Sequence, residues 1–349
     1  MKPNLVTIAV FCLLIAVPVG LFIARAQDSS TKRHDGKQPT SPNYRISGPY
    51  THKNLSIFLV HGKDQLAGRS FLTLQEALAQ KKVRVYETKD VNELAIRNLS
   101  NEDIYVQAGD IVRGGDQDRM ISIDFIVPPR SGRMPISAFC VESGRWSKRG
   151  EEQAGFFTSS DNAVATKELK LAAKVANSQQ VVWEKVSAAQ EKIGRNVGGS
   201  VNSPVSATSL ELSVEDSKVK ATTAAYIDAL NGIVRNKTDV IGYAFAINGH
   251  VNSADVYASH ALFAKLWPKL LKASAVEAIA ELNQETKPEP VAETVHAFLN
   301  DSEQPSAKSK EVTSRVRVVT REDDKNIFFE TQDRDQKDAW VHRNYIRKQ

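Results

Sequence analysis

The segment from Val106 to Trp146, VQAGDIVRGGDQDRMISIDFIVPP followed closely by ISAFCVESGRW, constrains the fold more than any other part of the chain. Apolar runs that read as strands flank Gly114-Gly115-Asp116-Gln117-Asp118-Arg119. A turn needs only Gly, Asn or Asp for its backbone angles, so this density of charge goes beyond turn chemistry. It points to a polar site built at the end of a sheet.

Around that segment the patterns predict strands early and late. Leu55–Val60, Val83–Glu87, Leu94–Asn98 and Ile104–Gln107 read as strands, with a short helix over Thr73–Gln80 capped by Thr73 three residues before Glu76. Ala163–Lys192 and about Lys218–Val234 read as helices. Asp239–Ile247 is a buried strand ending at the turn Asn248-Gly249, and Ser253–Asn283 is mostly helical with an interruption near Pro268. Val312–Thr320 and Ile327–Thr331 are the final strands. Strands and helices do not alternate as βαβ units, so the expected class is α+β: a mixed or antiparallel sheet from N-terminal and C-terminal strands, with a helical middle. Residues 44–349 are expected to form one domain, with loose segments near 194–209 and 288–309.

The first 26 residues read as an export signal. Lys2 provides a positive start, Leu5–Ile23 is almost wholly apolar, and Ala24-Arg25-Ala26 is a small-x-small cleavage pattern. An uncleaved anchor through residues 5–23 is the alternative, because the run is near the roughly 20 residues that span a bilayer. Either way the body of the chain is expected outside the cytoplasm, with membrane contact only through that segment. Residues 27–43 are Ser, Thr, Pro and Lys rich and read as a disordered linker. Of the formal net charge of +5 among 349 residues, Lys2 and Arg25 supply two units. The small remaining surplus argues against nucleic-acid binding. With Cys12 in the signal, Cys140 is left without an intrachain partner, and its apolar neighbours mark it as a core residue.

The glycine pair Gly114-Gly115 admits positive φ and close approach of a backbone or ligand. Arg119 can fork onto a carboxylate or phosphate, or pair internally with Asp118 or Asp124. Met120–Val127 reads as one strand, with Ile121, Ile123, Phe125 and Val127 on one face; Asp124 then points away from the main apolar layer. Pro128-Pro129 ends it. On the returning strand Cys140 and Glu142 share one side, so Glu142 converges on the Asp116–Arg119 loop if the strands pair. Arg145 beside Trp146 offers a cationic and aromatic surface for a nucleobase or sugar, or else an aromatic core anchor with an ion-paired neighbour. There is no His-Glu-x-x-His, Cys-x-x-Cys, phosphate loop or Gly-x-Ser-x-Gly, and the histidines lack metal-ligand spacing, so neither metal nor cofactor is expected.

Gly109 through Arg119, with Pro128-Pro129 and Cys140-Val141-Glu142-Ser143-Gly144-Arg145-Trp146, resembles a bacterial family, the ARG and Rhodanese-Phosphatase-superfamily-associated Protein domain. The resemblance runs from about Tyr44 to Trp340-Val341-His342-Arg343-Asn344-Tyr345. The family's name reflects association with ADP-ribosylglycohydrolases and rhodanese-phosphatase proteins, which implies a link to nucleotide or ADP-ribose metabolism. Three readings follow. In the first, an exported domain binds a small anionic or sugar-like ligand through Gly114, Gly115, Asp116, Gln117, Asp118, Arg119, Arg145 and Trp146. In the second, Asp118 and Glu142 act as acid and base on a glycosidic or ribosyl bond. In the third, an envelope protein of structural or partner-binding role uses the charged loop as an internal ion-pair network.

Overall fold

The computed structural model describes residues 44–348 apart from 67, 164–165 and 284–287. The expected signal and linker lie outside the described residues. The described residues open with a hairpin, β1 (Arg45–His52) and β2 (Leu55–His61). Strand β3 (Leu72–Thr73) runs into helix α1 (Leu74–Ala79), where Thr73 and Glu76 close the expected capping box. Then come β4 (Val83–Asp90), β5 (Glu93–Asn98), β6 (Ile104–Val106) and β7 (Asp110–Gly114). The polar stretch contributes β8 (Arg119–Ile121), β9 (Phe125–Val127) and β10 (Met134–Cys140). β11 (Phe157–Ala163) precedes α2 (Lys167–Leu171), a π-helical turn (Ala172–Ala176), α3 (Gln179–Val197), α4 (Leu210–Val214) and α5 (Ser217–Leu230). The hairpin β12 (Val240–Ile247) and β13 (His250–Tyr257) comes before α6 (His260–Ala280) and α7 (Ala292–Ser302). β14 (Ala307–Glu311), β15 (Val316–Glu322), β16 (Asn326–Asp333) and β17 (Ala339–Arg347) finish the chain.

The class is mixed α+β with large antiparallel sheets. One sheet has eight strands in the order β1-β2-β12-β13-β17-β16-β15-β14, a second has six in the order β11-β7-β8-β10-β5-β4, and a third joins β3, β6 and β9. N-terminal and C-terminal strands do share a sheet, but the β12–β13 hairpin from the middle of the chain lies between them. Composition explains this placement. β12 is apolar on both faces, sending Tyr243, Phe245 and Ile247 into the larger core and Ala244 and Ala246 into the smaller one. Asn248 and Gly249, both at positive φ, turn it into β13. Among the described residues no helix is long and apolar enough to cross a membrane.

Four expectations are corrected. Ser253–Tyr257 belong to a strand, and the following helix starts only after Ser259, whose hydroxyl caps it. That helix continues through Pro268, held by the buried Leu266, Trp267, Leu270 and Leu271. The segment 288–309 holds α7, because Val295, Phe298 and Leu299 at helical spacing pack into the smaller core. Met120–Val127 is not one strand: β8 and β9 lie in different sheets. At the crossing, Ser122 N donates to Ser137 O (3.1 Å) and Ala108 N to Asp124 Oδ1 (2.6 Å). That second bond turns Asp124 inward rather than away from the core.

Candidate functional site

The two halves of the polar stretch do meet. β8 pairs antiparallel with β10, with Cys140 opposite Arg119, and this register brings Glu142 to the loop, where its Oε2 accepts from Asp118 N at 3.2 Å. Gly114 (φ +122°) and Gly115 (φ +56°) both adopt left-handed backbone. A Cβ on Gly114 would lie 2.8 Å from Phe156 O, so the close approach that needs glycine is to the protein's own chain.

What the loop encloses is other side chains. Asp118 and Glu142 are both 0% exposed. Asp118 is gripped by both Arg149 nitrogens (3.0 and 3.2 Å) and accepts from Gly114 N and Ser209 Oγ at 3.2 Å each. Arg145 Nε donates to Glu142 Oε1 at 2.9 Å. Arg119 turns the other way, donating to Val91 O (2.7 Å) and to Glu87 (3.3 Å). Asp116 pairs with Lys89 at 2.7 Å, Gln117 is fully buried, and Trp146 is 59% exposed to solvent. Burial raises the Asp118 carboxyl against the pull of Arg149. Burial also opposes ionisation of Glu142, but hydrogen bonds from Arg145 and Ser206 hold its carboxyl low. The pair is thus polarised as an acid and a base would be. Both carboxylates are closed off from solvent. Cys140 is buried and its thiol is pushed up to about 11, fitting a core residue.

Arg149, Ser209 and Glu87 were invisible to the sequence reading. Arg149 sits in Lys148-Arg149-Gly150-Glu151-Glu152, which looks like a solvated charge run. A further carboxylate, Glu211, borders the same network. It is 0% exposed, accepts from Ser160 Oγ at 2.7 Å, and burial pushes it up to about 7 from its ordinary 4.5. An acid raised in the folded state costs nothing below 4.5, destabilises increasingly as pH rises from 4.5 to about 7, and stays at that full cost above it. Glu211→Gln should therefore raise stability at pH 8 by up to about 3 kcal/mol while changing little at pH 4.5. Urea unfolding at the two pH values checks this.

A second polar cluster lies on the other side of the crossing and borders open space. Asp124 accepts from His342 Nδ1 (2.6 Å) and Thr331 Oγ1 (2.9 Å), while His342 Nε2 donates to Asp255 Oδ1 (3.0 Å). Both ring nitrogens face carboxylates, which assigns an imidazolium. Burial opposes the charged ring, but Asp124 and Asp255 outweigh it and raise His342. Burial likewise opposes both carboxylates, and His342 holds each of them low. The Tyr257 ring stacks on His342 at 4.5 Å. Beside them Lys174, on the π-helical turn, donates to Asn344 Oδ1 at 2.8 Å and lies 4.6 Å over the Phe329 ring. Burial lowers the Lys174 ammonium despite the two nearby carboxylates. The π-helical turn ends α2, closing on Asn177 in left-handed conformation.

A cavity of about 600 Å³ opens here, with Asp124, Lys174, Asn177, Phe329 and Thr331 in its wall. Lys174 also lines a small hollow of about 20 Å³ against Asp255, His342 and Asn344, room for about one water. Among the described residues no group of three or more His, Cys, Asp or Glu could hold a metal ion. Of this cluster, sequence reasoning singled out only Asp124. The alternation of His342 and Asn344 with Val341 and Tyr345 in β17 was the available signal of a polar inward face.

A match to the ARG and Rhodanese-Phosphatase-superfamily-associated Protein domain covers residues 43–346. No curated protein and no solved structure matches the chain at a significant level. A match over most of the chain, carrying both halves of the polar stretch, places the protein in a family: it belongs to the ARG and Rhodanese-Phosphatase-superfamily-associated Protein domain family.

Proposed function

We propose that this is an exported domain that binds a small sugar-like ligand in the cavity beside Asp124 and Lys174, and that the Gly114–Arg119 loop is the scaffold behind it. The observation that carries the reading is the cavity itself, large enough for a small ligand and walled by convergent polar groups with perturbed ionisation. Between the anionic and sugar-like chemistries the lining favours the second. Asp90, Glu93, Asp124 and Glu311 set four carboxylates against Lys174 and Lys310, a balance that repels anions. Carboxylates, Asn177 and Thr331 accept and donate to hydroxyls, and Phe329 gives an apolar ring face. Export rests on the charge, apolar run and cleavage pattern of residues 1–26.

Titration calorimetry with neutral mono- and disaccharides, ADP-ribose and nucleotides tests this reading. Heat is expected with a neutral sugar, and Phe329→Ala should weaken binding about tenfold, roughly 1.4 kcal/mol. Trp146→Ala should leave it unchanged. The opposite pattern, loss with Trp146→Ala and none with Phe329→Ala, would return the ligand to the loop.

A further inference from the structure

We propose that the ligand of the cavity extends onto a row of exposed arginines, Arg84, Arg97 and Arg133, an assignment that rests on the sugar-binding reading above. The ligand is then a short acidic glycan. A neutral sugar unit sits in the cavity, and a carboxylate, sulfate or phosphate group lies on the row.

Strand register builds the row. β5 lies between β4 and β10 in the six-stranded sheet. Arg84 pairs directly with Arg97, and Met134 pairs with Ile96, which sets Arg133 abreast of Arg97. The neighbouring rank on the same face is Tyr86, Ala95 and Pro135. Arg84, Arg97 and Arg133 are all exposed, while Val85, Leu94, Ile96 and Ile136 on the opposite face are buried in the core.

Like charges directly opposite one another destabilise a sheet, so the row works against folding. Aromatic rings hold its two ends in place. Arg133 lies 4.0 Å over the Tyr86 ring and Arg84 lies 5.5 Å over the Phe156 ring, with the two rings in edge contact at 5.4 Å. Stacking engages the flat face of a guanidinium and leaves its N–H edge to meet an anion in bidentate fashion. Among the described residues, none of the three guanidinium groups has an ion-pair or hydrogen-bond partner. Lys81 and Arg130, exposed in the turns leading into β4 and β10, add positive charge nearby.

The row adjoins the cavity. Glu93 and Pro135 line the cavity, and on the outward face Pro135 follows Arg133 while Glu93 leads through Ala95 to Arg97. Two residues of a strand span about 7 Å, so a short oligosaccharide reaches from one to the other. Charge is segregated along that path. The cavity presents Asp90, Glu93, Asp124 and Glu311, which repel an anion, whereas the arginines attract one. A neutral unit inside and an acidic unit outside is the arrangement that satisfies both, and complementarity of this kind fixes the register of a ligand.

Titration calorimetry of the full chain with matched oligosaccharides tests this. Galactan is compared with galacturonan, dextran with dextran sulfate, and maltotriose with its phosphate monoester. An acidic member is expected to bind about tenfold more tightly than its neutral partner. Raising salt to about 0.5 M should remove most of that gain, since exposed charges are screened. The triple variant Arg84→Gln, Arg97→Gln, Arg133→Gln should lose the gain and keep neutral binding unchanged. Its fold is protected, because the substitutions are exposed and relieve repulsion. Neutral binding with no acidic preference in the wild type, or a preference kept in the triple variant, would overturn the proposal and leave the cavity reading standing. Acidic binding that needs the arginines but is unaffected by Phe329→Ala would overturn the spanning ligand and the cavity reading together. So would the absence of heat with every glycan.

Discussion

His342→Gln should lower the free energy of unfolding by about 3–5 kcal/mol, the cost of removing one partner from a buried ionic set. The ring is 1% exposed and stands between two carboxylates, at 2.6 Å from Asp124 and 3.0 Å from Asp255. Glutamine fills most of the volume and can donate to one of them, but it brings no charge. Two buried anions would then face each other with Lys174 and Lys170 as nearby cations. The double variant His342→Gln with Asp124→Asn should recover part of the loss, because it removes the repulsion as well as the attraction. A coupling near zero in that cycle, measured by urea unfolding, would mean the three groups do not act as one unit.

The same set predicts a pH window. His342 is raised above its ordinary 6.5, so its contribution is complete below 6.5 and is lost as pH rises through the higher folded value. Asp124 and Asp255 are lowered below 3.8, so their contribution is complete above 3.8 and is lost as pH falls through the lower folded values. The stability difference between wild type and His342→Gln should therefore be greatest between pH 3.8 and 6.5 and shrink on both sides. Taking the difference cancels groups common to both proteins. A gap that widens steadily with alkaline pH would show that the ring is neutral in the folded protein.

How much of this was legible in the sequence depended on range. Thr73 and Glu76 announced a helix start because a capping box is local, and Asn248-Gly249 announced the turn after β12 for the same reason, though not the strand that follows it. The convergence of Glu142 on Asp118 followed from the pairing of β8 with β10, although β9 in another sheet runs between them. Whether the meeting enclosed space or protein did not, since Arg149 and Ser209 fill it from segments with no periodic signature. Asp124 was visible as a carboxylate in an apolar run, but its partners lie 207 residues away at Thr331 and 218 away at His342. The side-chain period of two also misled, because it holds only while a strand remains in one sheet, and the chain leaves its sheet at Ser122.

Glu142→Leu should cost about 3 kcal/mol or more in stability, and this separates the scaffold from the hydrolase reading of the Asp118–Glu142 pair. The carboxylate has three tasks: it balances Arg145, accepts from the Asp118 backbone N–H, and lies 3.8 Å from Arg149. Leucine leaves Arg145, 9% exposed, with backbone carbonyls of Gly115 and Ser147 and the more distant Asp118. It also strands a buried N–H, and neither loss is offset by water. Glu142→Gln keeps an acceptor for that N–H and loses only the charge, so its cost should be smaller, about 1.5–3 kcal/mol. Trp146→Ala, at a solvent-exposed position four residues on, should stay within about 0.5 kcal/mol. The ordering Leu, then Gln, then the tryptophan variant is what an interior clamp requires. A pair kept for acid–base work obeys a different rule: strained groups at active sites are commonly relieved by substitution, so Glu142→Leu would then leave stability unchanged or raise it. Urea unfolding of the three variants decides between a loop that holds the sheet ends together and one that does chemistry.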